Sequence, residues 1–263
     1  MDLRGARVLL TGATGGIGQA LAVALAGRGA DVVLTGRRVE VLEPLAERVG
    51  GTAVAADLAD RDGVRELVDE VGDVDVLVAN AALPSSGPLG GFSPEEIDRA
   101  LDVNLRAPIM LARLLADRMV ERRRGHLVFV SSLAGKTASG HASIYNATKF
   151  GLRGFALAMR EELRPHGVGV STVFPGFIRD AGMFAEAGVA LPRGVGTRSP
   201  RDVAVATVRA VERNLGEVDV APLGLRLGAL VGGAVPGLAA AVQRAAGGDR
   251  ITRELGERQR GKR

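Results

Sequence analysis

A doubly wound α/β domain, its parallel sheet covered on both faces by helices, is the expected fold, and three features point to it. Short continuous apolar runs recur along the 263 residues: RVLLTG (7–12), DVVLTG (31–36), GTAVAAD (51–57), DVLVANA (75–81), HLVFVSS (126–132), GVSTVFPG (169–176) and a weaker EVDVAP (217–222). Runs without polar–apolar alternation are strands buried on both faces. Helix-length stretches separate them (IGQALAVALAGRG, VEVLEPLAERVG, GVRELVDEVG, Pro94 to Arg124 and Tyr145 to Arg164), and such alternation builds parallel units joined by right-handed crossovers. No repeat, linker or shift of composition interrupts the pattern before about residue 220, so residues 1–222 read as one domain.

Composition narrows the function classes. A hydrophobic fraction of 46% is ample for a packed core. The absence of cysteine excludes disulfides, thiolate metal sites and thiol catalysis, and no spacing of His, Asp and Glu forms a metal site. The start, MDLRGARVLLTGATGG, has only a brief apolar run before its glycines, so it reads as no signal peptide and the cytoplasm is the expected compartment. Six basic against three acidic residues in 249–263 carry most of the net charge of +4. That basic tail reads as solvated and disordered. With one tyrosine and no tryptophan the chain has few stacking platforms, and no nucleic-acid partner is expected.

The first strand leads into VLLTGATGGIGQALAVAL, with glycines at 12, 15, 16 and 18 before a helix. Glycine permits the tight turn and close approach of backbone N–H groups to a pyrophosphate, and a helix N-terminus favours negative charge. A plain glycine-rich turn would share the composition, but the strand–turn–helix context points to a dinucleotide site and a Rossmann-type sheet. At the end of the second strand, LTGRR offers Gly36, Arg37 and Arg38 where a carboxylate would select NAD(H). Guanidinium groups bind a 2′-phosphate bidentately, so NADP(H) is expected over NAD(H).

The stretch SIYNATKFG holds the only tyrosine, Tyr145, four residues before Lys149, one of three lysines. On a helix the two share a face. A buried ammonium about 4 Å from the phenol, at an effective dielectric of about 20, would favour the phenolate by about 4 kcal/mol. That would bring a tyrosine from about 10 towards neutrality, where it can give a proton to a carbonyl oxygen or take one back. Tyr-x-x-x-Lys alone is a weak signal, since an ordinary helix face can carry both residues.

The pair stands in company. TGATGGIG, ANAA (79–82), VNL (103–105), SS (131–132) and FPG (174–176) occur in order. With them, residues 5 to about 221 resemble the short-chain dehydrogenase/reductase family in its Tyr-x-x-x-Lys branch. The resemblance implies that Tyr145 is the acid/base and that Lys149 binds the nicotinamide ribose and lowers the tyrosine pKa. It implies that Ser132, thirteen residues before the tyrosine, bonds the substrate oxygen. Asn104, in the long fourth helix, would hold a water linking Lys149 to solvent. The implied cofactor contacts are Gly12, Thr14, Gly15, Gly16, Ile17, Gly18, Arg37, Arg38, Asp57 (at the adenine), Leu58, Asn80, Tyr145, Lys149, Pro175, Gly176 and Ile178. The sequence departs from the family pattern at Ala82, a common glycine, and at Asp180, where a threonine often meets the nicotinamide. It also lacks the C-terminal strand and Gly-Gly turn that build the tetramers of many bacterial members, so no tetramer is carried over. A homo-oligomer, a dimer, is the expectation instead.

Residues 223–248 change character. The apolar part, Leu227 to Val242, is 16 residues long and holds Pro236, short of the roughly 20 residues that span a bilayer. It reads as an apolar helical extension: a lid, a subunit interface or a peripheral membrane contact. The lid reading has it meet GMFAEAGVAL (182–191) over an apolar pocket. Together these features predict an NADP(H)-dependent oxidoreductase interconverting a carbonyl and an alcohol on an apolar small molecule. The alternative is a catalytically silent nucleotide-binding protein on the same fold.

Overall fold

The computed structural model describes residues 1–191, 195–245 and 248–262. Seven strands, β1 (Arg7–Thr11), β2 (Asp31–Gly36), β3 (Thr52–Ala55), β4 (Val76–Ala79), β5 (Gly125–Val130), β6 (Val168–Pro175) and β7 (Glu217–Val220), form one sheet in the order β3-β2-β1-β4-β5-β6-β7. Every pairing is parallel. Successive side chains face opposite sides, so Val8 and Leu10 enter one core while Leu9 enters the other. Helices α1 (Gly16–Ala26), α2 (Val39–Val49) and α8 (Pro200–Arg213) cover the first face. The second is covered by α3 (Arg61–Val71), α5 (Ala107–Glu121) and α6 (Ser143–Leu163). A fully buried leucine such as Leu21 or Leu111 contributes about 1.5–3 kcal/mol to this packing.

Caps set several helix starts. Helix α4 (Pro94–Leu101) opens with a Ser93–Glu96 capping box and α8 with Ser199–Asp202, each with proline first. The start of α1 differs: its N-cap is Gly15, with no side chain to satisfy the first N–H groups. Between α4 and α5 the chain widens into a π turn, Asp102–Arg106, which carries Asn104. The expected long fourth helix is therefore two helices joined by this turn.

The C-terminal extension is helical. Helices α9 (Leu223–Ala234) and α10 (Pro236–Ala245) form a hairpin broken where Val235 precedes Pro236, because proline lacks an N–H and pushes its predecessor out of helical geometry. Gly232 lets α9 approach Thr137 and Ala239, while Leu223, Leu227, Leu230, Val231, Val235 and Leu238 stay exposed. No described helix is long and apolar enough to cross a membrane.

Two expectations change here. Residues 249–263 are not a disordered tail in this structure: α11 (Gly248–Arg258) and a 3-10 turn (Arg260–Lys262) occupy most of the segment. Its order comes from tertiary contacts that a charged sequence does not advertise, with Gln259 only 3% exposed. Nor is a hydrogen bond seen, among the described residues, between the apolar hairpin and residues 182–191, where the sequence suggests a contact. It is α11 that hydrogen-bonds to α7 (Met183–Ala187), whereas α9 packs on the turn at 133–137.

Candidate active site

The order of strands reverses between β1 and β4, and ligands of open parallel sheets bind beyond the strand C-termini at such a point. The glycine loop lies there. A Cβ on Gly12 would sit 2.7 Å from Ala81 Cα, and one on Gly18 would overlap the Gly12 carbonyl oxygen, so only glycine lets the loop close on itself. Gly15 is otherwise open, and the uncapped start of α1 leaves N–H donors for an anion. Asn80 braces the loop, its Nδ2 donating to the carbonyls of Thr11 (3.0 Å) and Gly12 (3.2 Å). This cradle fits a pyrophosphate.

The two arginines after β2 part company. Arg38 Nη2 donates to the Thr14 carbonyl at 2.6 Å, so part of its guanidinium tightens the glycine loop. Arg37 is exposed beside it. Asp57 is paired with Arg99 of α4 at 3.0 Å. Burial pushes its carboxyl up, but the Ala59 N–H and the Arg99 and Arg37 charges outweigh that and hold it below the usual range. Leu58 is buried behind it.

The Ser–Tyr–Lys set gathers where α6 passes the ends of β5 and β6. Ser132 follows β5 and its Oγ donates to the Pro175 carbonyl at 3.4 Å, tying the two strand ends together. Lys149, 2% exposed, lies with Nζ 3.1 Å from the Val130 carbonyl and 5.7 Å from the Tyr145 ring centroid. The expected lowering of the tyrosine pKa is not present: burial raises it, and the Ser132 hydroxyl offsets part of the rise by hydrogen bonding. The same burial lowers Lys149 to about 8. Desolvation disfavours the charged form of both groups, so it moves the phenol up and the ammonium down.

Asn104 is buried in the π turn. Its Oδ1 accepts from Leu83 N–H at 2.6 Å, and its Nδ2 donates to the Leu83 carbonyl at 2.9 Å and Ser85 Oγ at 3.4 Å. The amide pins the loop after β4, and no bond joins it to Lys149 among the described residues. Ile178 is buried and bridges to Arg198, ordering the loop after β6. Gly16 faces Ala181 and Ile17 faces Gly182, so that loop lies over the glycine loop. Asp180 there is exposed with a left-handed φ of 71°. Gly176 N–H donates to the Val220 carbonyl at 3.0 Å.

A model of the family described as "short chain dehydrogenase" matches residues 6–190. The chain belongs to that family. It is 38% identical over 227 residues to a ketoacyl reductase, HetN, from a Nostoc species, covering 83% of this chain and 79% of that protein. It is 34% identical over 181 residues to 3-oxoacyl-[acyl-carrier-protein] reductase FabG of Rickettsia conorii, covering 68% and 75%. Among solved structures it resembles a short-chain dehydrogenase from Sphingobium yanoikuyae in complex with NADPH, with a TM-score of 0.77 at 30% identity over 89% of this chain and 94% of that one. A metagenomic short-chain oxidoreductase in complex with NADP gives 0.68 at 35% identity, over 84% and 99%. The chain is thus a short-chain dehydrogenase/reductase, an oxidoreductase family that acts on carbonyl or CH–OH groups.

Some residues of this short-chain dehydrogenase site carry little sequence signal. Asn146 Nδ2 donates to the carbonyls of Ala134 (2.7 Å) and Thr137 (3.2 Å) and so shapes the loop after Ser132. Only its place beside Tyr145 hinted at this. Lys136 is held by Glu217 (3.1 Å) and Asp219 (2.7 Å), a long-range network no local pattern reveals. His126 is a core residue: Nε2 lies 2.7 Å from Ser171 Oγ, and burial lowers its pKa to about 3.

Proposed function

We propose that the protein is an NADP(H)-dependent reductase/dehydrogenase of an apolar ketone or aldehyde, with Tyr145 as acid/base. One observation carries the reading: the single tyrosine is half-buried between the Ser132 hydroxyl and the Lys149 ammonium. The bound nicotinamide supplies or accepts the hydride. The chain supplies the rest. Ser132 Oγ, facing Tyr145, holds the substrate oxygen where negative charge develops. The Tyr145 hydroxyl gives that oxygen its proton during reduction and takes it back during oxidation. Lys149 supports the phenolate that remains, and a pKa of about 8 leaves it mostly charged at neutral pH.

Arg37 supports the choice of NADP(H), because it is an exposed guanidinium at the end of β2, next to Arg38, which also donates to Thr14. The Phe177–Phe184 ring pair, centroids 4.9 Å apart, makes the loop after β6 an apolar wall. The exposed apolar face of α9 and α10, on a stretch without a carboxylate from Ala221 to Gly248, supports peripheral contact with a membrane surface from the cytoplasm. A dimer through that face is the competing reading.

NADPH oxidation across a panel of aldehydes and ketones tests the reaction. Tyr145→Phe should lower kcat at least about a hundredfold while NADPH still binds. Near-normal turnover in that variant would overturn the role given to Tyr145.

A further inference from the structure

Three loops at the C-terminal edge of the sheet converge on α11 and the turn that follows it. A Cβ on Gly256 would lie 2.6 Å from Gly87 Cα and 2.7 Å from the Ser86 carbonyl oxygen, so a glycine is what lets the helix rest on the loop after β4. Gly87 N–H in turn donates to the His141 carbonyl at 2.6 Å, and Arg253 Nη2 lies 3.4 Å from His141 Nε2, which brings in the loop after β5. Arg260 stands near Gly91. On the side of β6, Gln259 Nε2 donates to the Met183 carbonyl at 2.7 Å. Arg258 Nη1 donates to the carbonyls of Ala187 (3.0 Å) and Gly188 (3.1 Å).

The element held this way is short. Helix α7 is a single short turn bounded by Gly182 and Gly188, both at positive φ (88° and 59°). Glycines in that conformation at both ends are pivots. Five residues form few helical bonds of their own, here Glu186 N–H to Gly182 O and Gly188 N–H to Ala185 O. A guanidinium on the last carbonyls and a buried amide on the first supply what is missing. Cation against helix C-terminus is also the favourable sense of the dipole.

We propose that α11 is a latch: Arg258 and Gln259 fasten the α7 flap across the substrate cleft, Gly256 seats the latch on the loop after β4, and this closure sets the longest substrate the cleft admits. The size limit rests on the function proposed above; the latch does not. Arg258 and Gln259 are positioning residues and touch no reacting atom. A closed flap excludes long chains and also water.

The test uses the full-length chain. Hydrogen exchange should show the Glu186 and Gly188 amides of the Arg258→Ala/Gln259→Ala variant exchanging at least about tenfold faster, with the core strands unchanged. In the same variant the ratio of kcat/KM for long to short 2-alkanones should shift at least about fivefold towards the long ones. Gly256→Val, which cannot seat against Gly87, should behave alike. Arg258→Lys, which keeps a donor, should stay close to the parent. Unchanged exchange at 186 and 188 would overturn the latch. Faster exchange with an unchanged chain-length profile would overturn its role in selection. A parent protein that turns over no carbonyl would count against the proposed function, while the exchange result would still decide the latch.

Discussion

Lys149→Met should make the protein inactive and, at neutral pH, more stable. The lysine is 2% exposed and burial takes its pKa from an ordinary 10.5 to about 8. Holding that charge at pH 7 costs about 3.4 kcal/mol, at about 1.36 kcal/mol per pH unit of displacement. A methionine of similar length carries no such cost but forgoes the 3.1 Å bond to the Val130 carbonyl, a loss of about 1.5 kcal/mol. The net gain is about 2 kcal/mol, or about 4–8 °C in Tm for a chain of this size. The sign follows from proton binding. Below pH 8 the lysine is charged in both folded and unfolded chains, and the full penalty is present. Between pH 8 and 10.5 the folded chain sheds the proton first and the penalty shrinks; above 10.5 both forms are neutral and it is gone. Calorimetric melts of parent and variant at pH 7, 8.5 and 10.5, without nucleotide, should therefore show a gap that closes as pH rises. A variant less stable than the parent at pH 7, or a gap independent of pH, would refute the claim that desolvation dominates at Lys149.

Arg37→Ala should weaken NADPH by at least about tenfold in a fluorescence titration, about 1.4 kcal/mol, and leave NADH unchanged; equal loss for both nucleotides would remove Arg37 from the 2′-phosphate site. Vesicles containing anionic lipid should sediment the protein, and Leu227→Asp/Leu230→Asp should abolish this. No sedimentation, together with a dimer that the same substitutions dissociate, would assign the face to a second copy.

Sequence and structure agree where the physics is local or strictly periodic. Unbroken apolar runs such as VLVA and HLVFV carry their own evidence of burial on both faces, and each becomes a central strand. Gly12 and Gly18 are legible because a tight loop excludes any side chain there. Spacing also brings Tyr145 and Lys149 together on α6. What spacing cannot carry is the environment of the pair. Attraction between the two charges favours the phenolate, but burial disfavours the charged form of both groups. The fold places Lys149 under the carbonyl of Val130, and the balance of shifts reverses. The side-chain partners of Asn104 and Arg38 are illegible for a related reason: each has several acceptors or donors within reach, and which one it takes depends on loops distant in the chain, Leu83–Ser85 for one and Thr14 for the other.

The C-terminal extension shows the same limit at larger scale, and explains why its two halves exchange the roles expected of them. Hydrophobicity marks a segment as wanting cover, but not which surface supplies it; charge marks a segment as content in water, but not that it stays there. Residues 223–245 are apolar nearly all round, so their burial is decided by available neighbours, and among the described residues α9 finds them at Thr137 and Ala239. Residues 248–258 are polar, yet polar side chains are what a flap rimmed by free backbone carbonyls requires. The carbonyls of Met183, Ala187 and Gly188 need donors, and leucine has none to give. Arg258 and Gln259 do. The donor-rich segment therefore closes the cleft, and the apolar one is left facing outward with its demand for cover unmet by the chain itself.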